Sequence, residues 1–600
     1  MDYTTLRALK PAEFSDAADG YRRTSDRASA AKDRIENQIA VAMRDANEGE
    51  ALDAALKQLR ELAENFHYTQ VQCGLIGTAL DAFAYELDAV KRKLDSAVAG
   101  AQASQLTVNS DGSVTYPPGG EKTDGKLPEG GTATGLTDST AWAVGRQAAN
   151  VDPNPHHRLA QDYADQIANA LKEATEADEK WAPKLRALKA DDDLTVSDKD
   201  WADASSDTSG VSEAGKKYLD SLPQPPKDGS AKDNAEWWNE LTADEQAAWI
   251  SMQPDSVGAL DGLPSTARDE ANRMVLAEAH GVAQGEYNAW LKKHPEPERF
   301  QTYIDPTTGT VMKGVNVETQ AWKDWEEERK KAHKSLDGMN AIQNRFDATG
   351  KNGLPEAYLL GFSTEGDGRA IIANGNPDTA DHQAVYVPGT TSDLGSIEGN
   401  INRMVNVWHA ADDEADGKSV STITWLGYDA PDSVAKDAPF KHYAYDGAPA
   451  FNQFLDGLQA SHSGDSEAHR TVIAHSYGST LVGAAAETGH LNADDVVFAG
   501  SPGVRVSGAD EMDVPKGHVW NEEADEDPVP DLGRWGHGGD AFIIPSDPEF
   551  GANEMTTDTE GHSGYWNERS QSLTNQALVV VGKGDEVVLK PPPDPWAHVK

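Results

Sequence analysis

Apolar side chains recur every three or four residues along the chain up to about residue 346, and they occur in short continuous runs beyond it. The first spacing predicts amphipathic helices. Short β-branched or aromatic runs bounded by Gly, Pro, Asn or Asp predict strands. The pattern therefore predicts an all-α N-terminal half followed by a C-terminal part in which strands alternate with helices.

The helical half divides by pattern into three parts. Residues 1–104 predict a long helical hairpin that turns near Gly49, and 105–150 predict a β-hairpin and a Gly/Pro-rich linker. Residues 151–346 predict a helical region with a Trp-rich segment, in which we expect the aromatic side chains to form core rather than a ligand groove. Within it, the polar stretch 191–230 predicts irregular structure.

The C-terminal part, residues 347–600, predicts a mainly parallel sheet covered by helices on both faces. Its first two strands have no helix between them and predict an antiparallel hairpin. This order of elements is that of the α/β-hydrolase fold. The predicted strands are 356–363, 369–375, 383–389, 420–428, 470–475, 494–500, 518–522 and 541–546. The predicted helices are 392–415, 448–462, 478–490 and 564–577.

One serine lies between a predicted buried strand and a predicted helix, in the sequence Ala-His-Ser476-Tyr-Gly. This is a variant of G-x-S-x-G, with alanine in place of the first glycine. A nucleophile elbow needs small residues two positions to either side of the serine, because strand and helix crowd together there. The pattern predicts Ser476 as a nucleophile; the alternative is a tight turn whose serine only caps the helix.

A serine hydroxyl needs a general base, and the base needs an orienting acid, in the chain order Ser, Asp or Glu, His. Asp527 follows the next-but-one strand after the serine and precedes a proline, which makes it the predicted acid, with Asp525 as the alternative. His562 is the one histidine in the segment between the last predicted strand, 541–546, and the helix predicted after it, and is the predicted base. His537 precedes that strand and is therefore less well placed to act as the base. We expect the side chain of His475, which is adjacent to the serine, to point away from the active face.

An oxyanion hole needs two backbone N–H groups directed at the developing charge. The sequence predicts Tyr477, directly after the serine, as one donor and Thr390 as the other. Gly389 and Thr391 flank that second donor and are the predicted substrate-binding positions. No apolar lid is evident, which disfavours long-chain lipids as substrates. We expect no metal and no cofactor.

The charge composition of the chain limits the classes of partner that it can bind. The 600-residue chain has 53 Lys and Arg against 100 Asp and Glu, a formal net charge of −47. Such a charge disfavours nucleic acids and anionic membranes as partners. No apolar run has the length of a transmembrane helix, and the first residues show no ordinary signal peptide. We expect a cytoplasmic protein, with export by a signal-peptide-independent route as the alternative.

The motifs VPGT, AHSYGS, ADEDPV and GHSGYW, in that order, resemble a family of bacterial α/β-hydrolases of largely undefined function. The segment WWNELTADEQAAWISMQPDSVGALDGLPSTARDEANR is similar to the stretch before their hydrolase domain. The resemblance spans about residues 150–582 and implies Ser476, Asp527 and His562 as the triad. It does not imply a substrate.

Residues 1–104 resemble the WXG-type helical hairpins associated with type VII secretion, although Asn47 stands where those proteins carry tryptophan. A plain helical bundle is the alternative. The sequence thus predicts a serine hydrolase that cleaves a small carboxylic ester or thioester. The alternative is a toxin or interaction protein related to type VII secretion, in which the helical half binds another protein.

Overall fold

The computed structural model describes residues 1–188, 195–304, 307, 311–464, 466–539 and 541–591. Its first part is a helical hairpin. The first arm is formed by α1 (Tyr3–Ala8), α2 (Ala12–Arg34), a π-helical turn and α3 (Ala40–Ala46), and the second arm is the long α4 (Glu50–Ala103). Gly49 makes the turn with a φ of 93°, a value that glycine adopts without strain. The predicted hairpin and its turn are therefore present.

A small sheet and three helices follow. The strands β1 (Thr107–Val108), β2 (Val114–Tyr116) and β3 (Gly131–Ala133) pair antiparallel, and β3 lies where the sequence predicted only a linker. The helices are α5 (Ser139–Val151), α6 (Pro155–Ala187) and α7 (Asp198–Leu219). Because α7 occupies most of the stretch predicted to be irregular, that prediction was wrong. Trp201 and Val211 are buried on α7 and supply the apolar face that its polar composition obscures.

The Trp-rich segment forms core, as predicted. It contains α8 (Ala231–Glu240), α9 (Ala243–Met252) and α10 (Pro254–Ala259), with Trp237, Trp238 and Trp249 buried in one cluster. A capping box of Thr242 and Glu245 starts α9. Next come α11 (Ser265–Lys293), the antiparallel strands β4 (Phe300–Ile304) and β5 (Val311–Glu318), and α12 (Gln320–Asp347).

The remaining elements are β6 (Ala357–Ser363), β7 (Arg369–Asn374), β8 (His382–Val387), α13 (Ile397–Glu414), β9 (Val420–Leu426), α14 (His442–Ser461), β10 (His469–His475), α15 (Tyr477–Thr488), β11 (Asp495–Ala499), β12 (Val519–Glu522), α16 (Val529–His537), β13 (Asn553–Glu554) and α17 (Gln571–Val580). In the described part of the chain, the eight strands β6 to β13 form one sheet, in the order β13-β12-β11-β10-β8-β9-β7-β6.

The sheet has the predicted topology. Strands β8 to β13 pair in parallel with one another, β7 pairs antiparallel with β9, and β6 and β7 form the predicted antiparallel hairpin. Helices α14 and α15 bury one face, and α13 and α17 bury the other. The predicted fold class, a mainly parallel α/β-hydrolase sheet after a helical N-terminal half, is confirmed.

One predicted strand is absent. Residues 541–546 form turns, and Ile544 is held there because Asp547 Oδ2 accepts its backbone N–H at 3.0 Å. The sheet ends instead at β13, which pairs with β12. A short apolar run cannot by itself distinguish a strand from a buried turn. Among the described residues, no helix combines the length and the apolar composition needed to cross a membrane.

Candidate active site

Ser476 occupies the turn between β10 and α15. Its φ of 54° and ψ of −129° are strained for a side chain with a Cβ, and its backbone N–H donates to Ala499 O at 3.1 Å. A Cβ at Gly478 would lie 2.3 Å from Val387 O, so only glycine fits two positions after the serine. This is the geometry that a nucleophile elbow requires.

His562 and Asp527 form a hydrogen-bonded pair. Asp527 lies between β12 and α16, and His562 follows β13, so the corrected last strand still precedes the histidine. Nδ1 of His562 lies 3.0 Å from Oδ1 and 2.9 Å from Oδ2 of Asp527. This assigns the proton to Nδ1 and leaves Nε2 free to accept another. Asp525, the alternative acid, is exposed, and its backbone pairs with the segment before His562.

Two further donors hold the Asp527 carboxylate. Tyr565 Oη donates to Oδ2 at 2.6 Å, and the Val529 N–H donates to Oδ1 at 3.0 Å. Burial raises the pKa of Asp527, but the hydrogen bonds from His562, Tyr565 and Val529 outweigh burial and bring the net pKa below its ordinary value. Asp527 therefore stays ionised beside the histidine. Tyr565 was not among the site residues predicted from the sequence, although this tyrosine lies within the GHSGYW motif.

Ser476 and His562 line the same cavity, which has a volume of about 790 Å³. Among the described residues, no hydrogen bond joins Ser476 Oγ to His562. Such contacts are often long in an enzyme without substrate and shorten when substrate binds. Every described residue that lines this cavity lies between Gly389 and Ser563, so the described part of the helical half does not contribute to its wall.

The loop after β8 lies against the serine. A Cβ at Gly389 would come within 2.6 Å of Ser476 Cβ and 3.1 Å of its Oγ. Thr391 has a φ of 67° and donates its N–H to Pro431 O at 2.7 Å, so that N–H is already engaged. Thr390, Thr391 and Tyr477 line the cavity. The N–H of Tyr477 belongs to the first turn of α15, where backbone donors have no intrahelical partner.

His475 does not point away from the site, so that expectation was wrong. Its Nε2 donates to the backbone oxygen of His562 at 2.8 Å, and the two rings lie 4.6 Å apart. Burial, followed by the nearby Arg403, lowers the pKa of His475 well below its usual range and keeps the ring neutral. His475 thus buttresses the loop that carries the predicted base. His537, the histidine less well placed to act as the base, is buried, and burial lowers its pKa to about 4.

Residues 364–536 match the family model described as alpha/beta hydrolase. Over 395 residues the chain is 28% identical to an uncharacterized protein of Mycobacterium tuberculosis, an alignment that covers 60% of this chain and 57% of that protein. The chain therefore spans little more than half the length of that relative. It is 32% identical over 176 residues to an uncharacterized protein of Mycobacterium bovis, covering 28% of this chain and 65% of that one.

A solved structure titled "Structure of arylesterase" aligns with a TM-score of 0.26 and 14% identity, over 43% of this chain and 92% of that chain. The match to the family model falls in the region that forms the eight-stranded sheet and carries Ser476. The C-terminal region of this chain is an α/β-hydrolase domain.

Proposed function

We propose that the protein is a serine hydrolase that cleaves a carboxylic ester or thioester through an acyl-enzyme. The observation that carries the proposal is the strained Ser476, which shares one cavity with a histidine whose Nδ1 is held by a buried aspartate. A serine hydroxyl in that position can be activated by the free ring nitrogen.

In the proposed reaction, Ser476 Oγ attacks the carbonyl carbon while His562 Nε2 takes the serine proton. The N–H groups of Tyr477 and Thr390 stabilise the oxyanion. The carbon–oxygen or carbon–sulfur bond then breaks, and His562 passes its proton to the leaving atom. Water, deprotonated by His562, attacks the acyl-serine and releases the acid. Asp527 holds His562 in the required tautomer throughout.

The test is burst kinetics with p-nitrophenyl acetate. We expect wild type to release p-nitrophenol in a burst and then turn over, and Ser476→Ala to lose both phases. Ser466→Ala is the matched control, since Ser466 is exposed and lies on a loop outside the cavity. Equal turnover by wild type and Ser476→Ala would overturn the proposal.

A further inference from the structure

The cavity around Ser476 has two chemically different flanks. One flank carries polar side chains from the loop before α13 and from α13 itself: Ser392, Ser396, Asn400 and Arg403. The other carries apolar side chains from α16 and the 427–441 loop: Val434, Pro439, Val529, Leu532 and Trp535. Because both flanks line the cavity that holds the serine, the two parts of a bound ester can meet different surroundings.

The apolar flank is exposed to an unusual degree. Leu532 is 74% exposed, Trp535 72% and Val434 70%, although all three line the cavity. Val529, Leu532 and Trp535 follow one another at three-residue spacing and so share one face of α16. Pro530, Gly533 and Gly536 interrupt this stretch, so the sequence did not predict a helix there, yet prolines are tolerated in the first turn of a helix. The structure thus places exposed apolar side chains beside the cavity where the sequence showed no apolar lid.

The polar flank holds a cation without an acidic partner. Among the described residues, Arg403 has no carboxylate within ion-pair distance. Its side-chain hydrogen bonds all involve Nη1, which contacts Tyr386 Oη at 2.6 Å, Asn400 Oδ1 at 3.1 Å and His475 Nδ1 at 3.5 Å. Nε and Nη2 remain without a partner in that part of the chain. In a chain with a net charge of −47, a guanidinium of this kind beside a catalytic cavity is available for an anion.

The flanks can be assigned to the two halves of an ester. His562 must protonate the leaving atom, so the leaving group lies on the side of His562. Arg403 lies 4.6 Å from the Trp566 ring, and His475 packs on that same ring at 5.0 Å and on His562 at 4.6 Å. The end of α16 instead contacts the residue after the serine, where His537 packs on Tyr477 at 5.3 Å.

We infer that the substrate is amphiphilic: an apolar acyl chain lies along α16, and the leaving group carries a carboxylate or phosphate that binds Arg403. This inference rests on the proposed serine hydrolase function and specifies its substrate class. The acyl chain would cover Leu532 and Trp535, which water contacts in the free protein. The anion would use the Nε and Nη2 donors of Arg403.

The test uses four thioesters, the acetyl and octanoyl esters of 3-mercaptopropionate and of N-acetylcysteamine, with release of the free thiol followed by a chromogenic disulfide. These probes vary chain length and leaving-group charge independently. We expect wild type to prefer octanoyl to acetyl and the anionic thiol to the neutral one.

Arg403→Gln should lower kcat/KM for the anionic esters about tenfold or more, relative to the neutral ones, because a hydrogen bond to a charged group is lost. Arg403→Lys should retain part of the preference for the anion. The double variant Leu532→Ser, Trp535→Ser should lower the octanoyl-to-acetyl ratio about tenfold or more, because apolar burial is lost. Arg92→Gln and Val151→Ser, exposed positions outside the cavity, are the matched controls.

The outcomes separate the two proposals. Unchanged substrate ratios in the Arg403 and α16 variants would overturn the amphiphilic substrate while leaving the hydrolase intact. If Ser476 reacts with a fluorophosphonate but the protein cleaves none of the four thioesters, the amphiphilic-substrate proposal is also overturned. Failure of both the thioesters and the fluorophosphonate to react would instead remove the proposed function on which the inference rests.

Discussion

Gly389 shows at the scale of one residue how tightly the loop after β8 packs on Ser476. A methyl group there would lie 2.6 Å from Ser476 Cβ and 2.9 Å from His475 O, both closer than van der Waals contact allows. The loop or the serine must therefore move if the residue gains a side chain. The adjacent Thr390 N–H, the proposed oxyanion donor, would move with it.

We therefore expect Gly389→Ala to lower kcat about 100-fold or more, which is the usual cost of losing one oxyanion donor. The measurement is steady-state hydrolysis of p-nitrophenyl acetate. Gly285→Ala is the control, since Gly285 lies on α11 and a methyl group added there would have no atom of another part of the chain within 4 Å. Full activity in Gly389→Ala would contradict the close packing described for this loop.

Tyr565 supports the acid of the proposed triad through its hydrogen bond to Asp527. Tyr565→Phe removes a donor to the carboxylate, so the pKa of Asp527 should rise and kcat/KM should fall about tenfold. The limb of the kcat/KM profile at the lowest pH, where Asp527 itself takes up a proton, should move to higher pH, because Tyr565 no longer stabilises the ionised carboxylate. A purely structural role for Tyr565 would lower activity without moving that limb. Tyr21→Phe, at an exposed tyrosine of α2, is the control.

The residues of the site differ in how well local sequence marks them. Ser476 could be predicted because a strand, a small-residue turn and a helix are contiguous, and Asp527 and His562 because their order along the fold is constrained. Tyr565 and Asp527 are 38 positions apart, and Arg403 and His475 are 72 apart. Those contacts depend on how the loops fold back over the sheet, which no local pattern encodes.

At the scale of elements, α11 protects the free edge of the sheet. Asp269 accepts the Leu359 N–H at 2.6 Å, Asn272 donates to Leu359 O at 2.9 Å, and Arg273 donates to Ala357 O at 3.0 Å. These bonds occupy backbone groups on the outer side of β6, which would otherwise be open to pairing with another chain. They give the PSTARDEANR motif a structural role that the sequence alone did not disclose.

The same helix carries a buried acid that links stability to pH. Glu278 accepts from Thr208 at 2.7 Å, and burial raises its pKa to about 7. Because the folded pKa exceeds the unfolded value, the folded state keeps a proton that the unfolded chain loses, and stability falls as pH rises from about 4.3 to 7. The cost by pH 8 is roughly 4 kcal/mol.

We expect Glu278→Gln to raise the thermal midpoint at pH 8 and to leave it nearly unchanged at pH 4.5. The measurement is scanning calorimetry at both pH values. Glu286→Gln, an exposed position on α11, should change the midpoint little at either pH. A lower midpoint for Glu278→Gln at pH 8 would show that the ionised form is the one the fold prefers.

Across the whole molecule, the helical half and the hydrolase sheet share one hydrophobic cluster. Leu276 of α11 and Leu336 and Met339 of α12 pack with Leu359 of β6 and Ile372 of β7. The hairpin reaches the same region, where Asn37 donates to Glu356 at 2.8 Å. We propose that the boundary near residue 346, although visible in the sequence pattern, does not separate independently stable units.

A fragment of residues 354–591 should therefore be insoluble or unfold without cooperativity, since it exposes the outer edge of β6 and half of that cluster. The measurement is size-exclusion chromatography and thermal unfolding beside the full chain. A soluble, monomeric fragment with a sharp unfolding transition would contradict this account of the interface.

The fold was more predictable than the packing between its parts, for a physical reason. Periodicity reports which face of each element is buried, so the alternating strands and helices and the long hairpin could be read from sequence. The polar composition of α7 and the prolines and glycines of α16 hid two helices that tertiary contacts stabilise. Which buried faces pack against one another depends on the tertiary structure of the whole chain.

The most direct test of the central claim is labelling of the full-length protein with a fluorophosphonate, followed by mass spectrometry of the modified peptide. Since none of the described residues of the helical half lines the cavity, the full chain should react without truncation. The account predicts rapid labelling at Ser476, abolished by Ser476→Ala and slowed strongly by Asp527→Asn. Labelling at another residue, or none in a folded full-length protein, would contradict it.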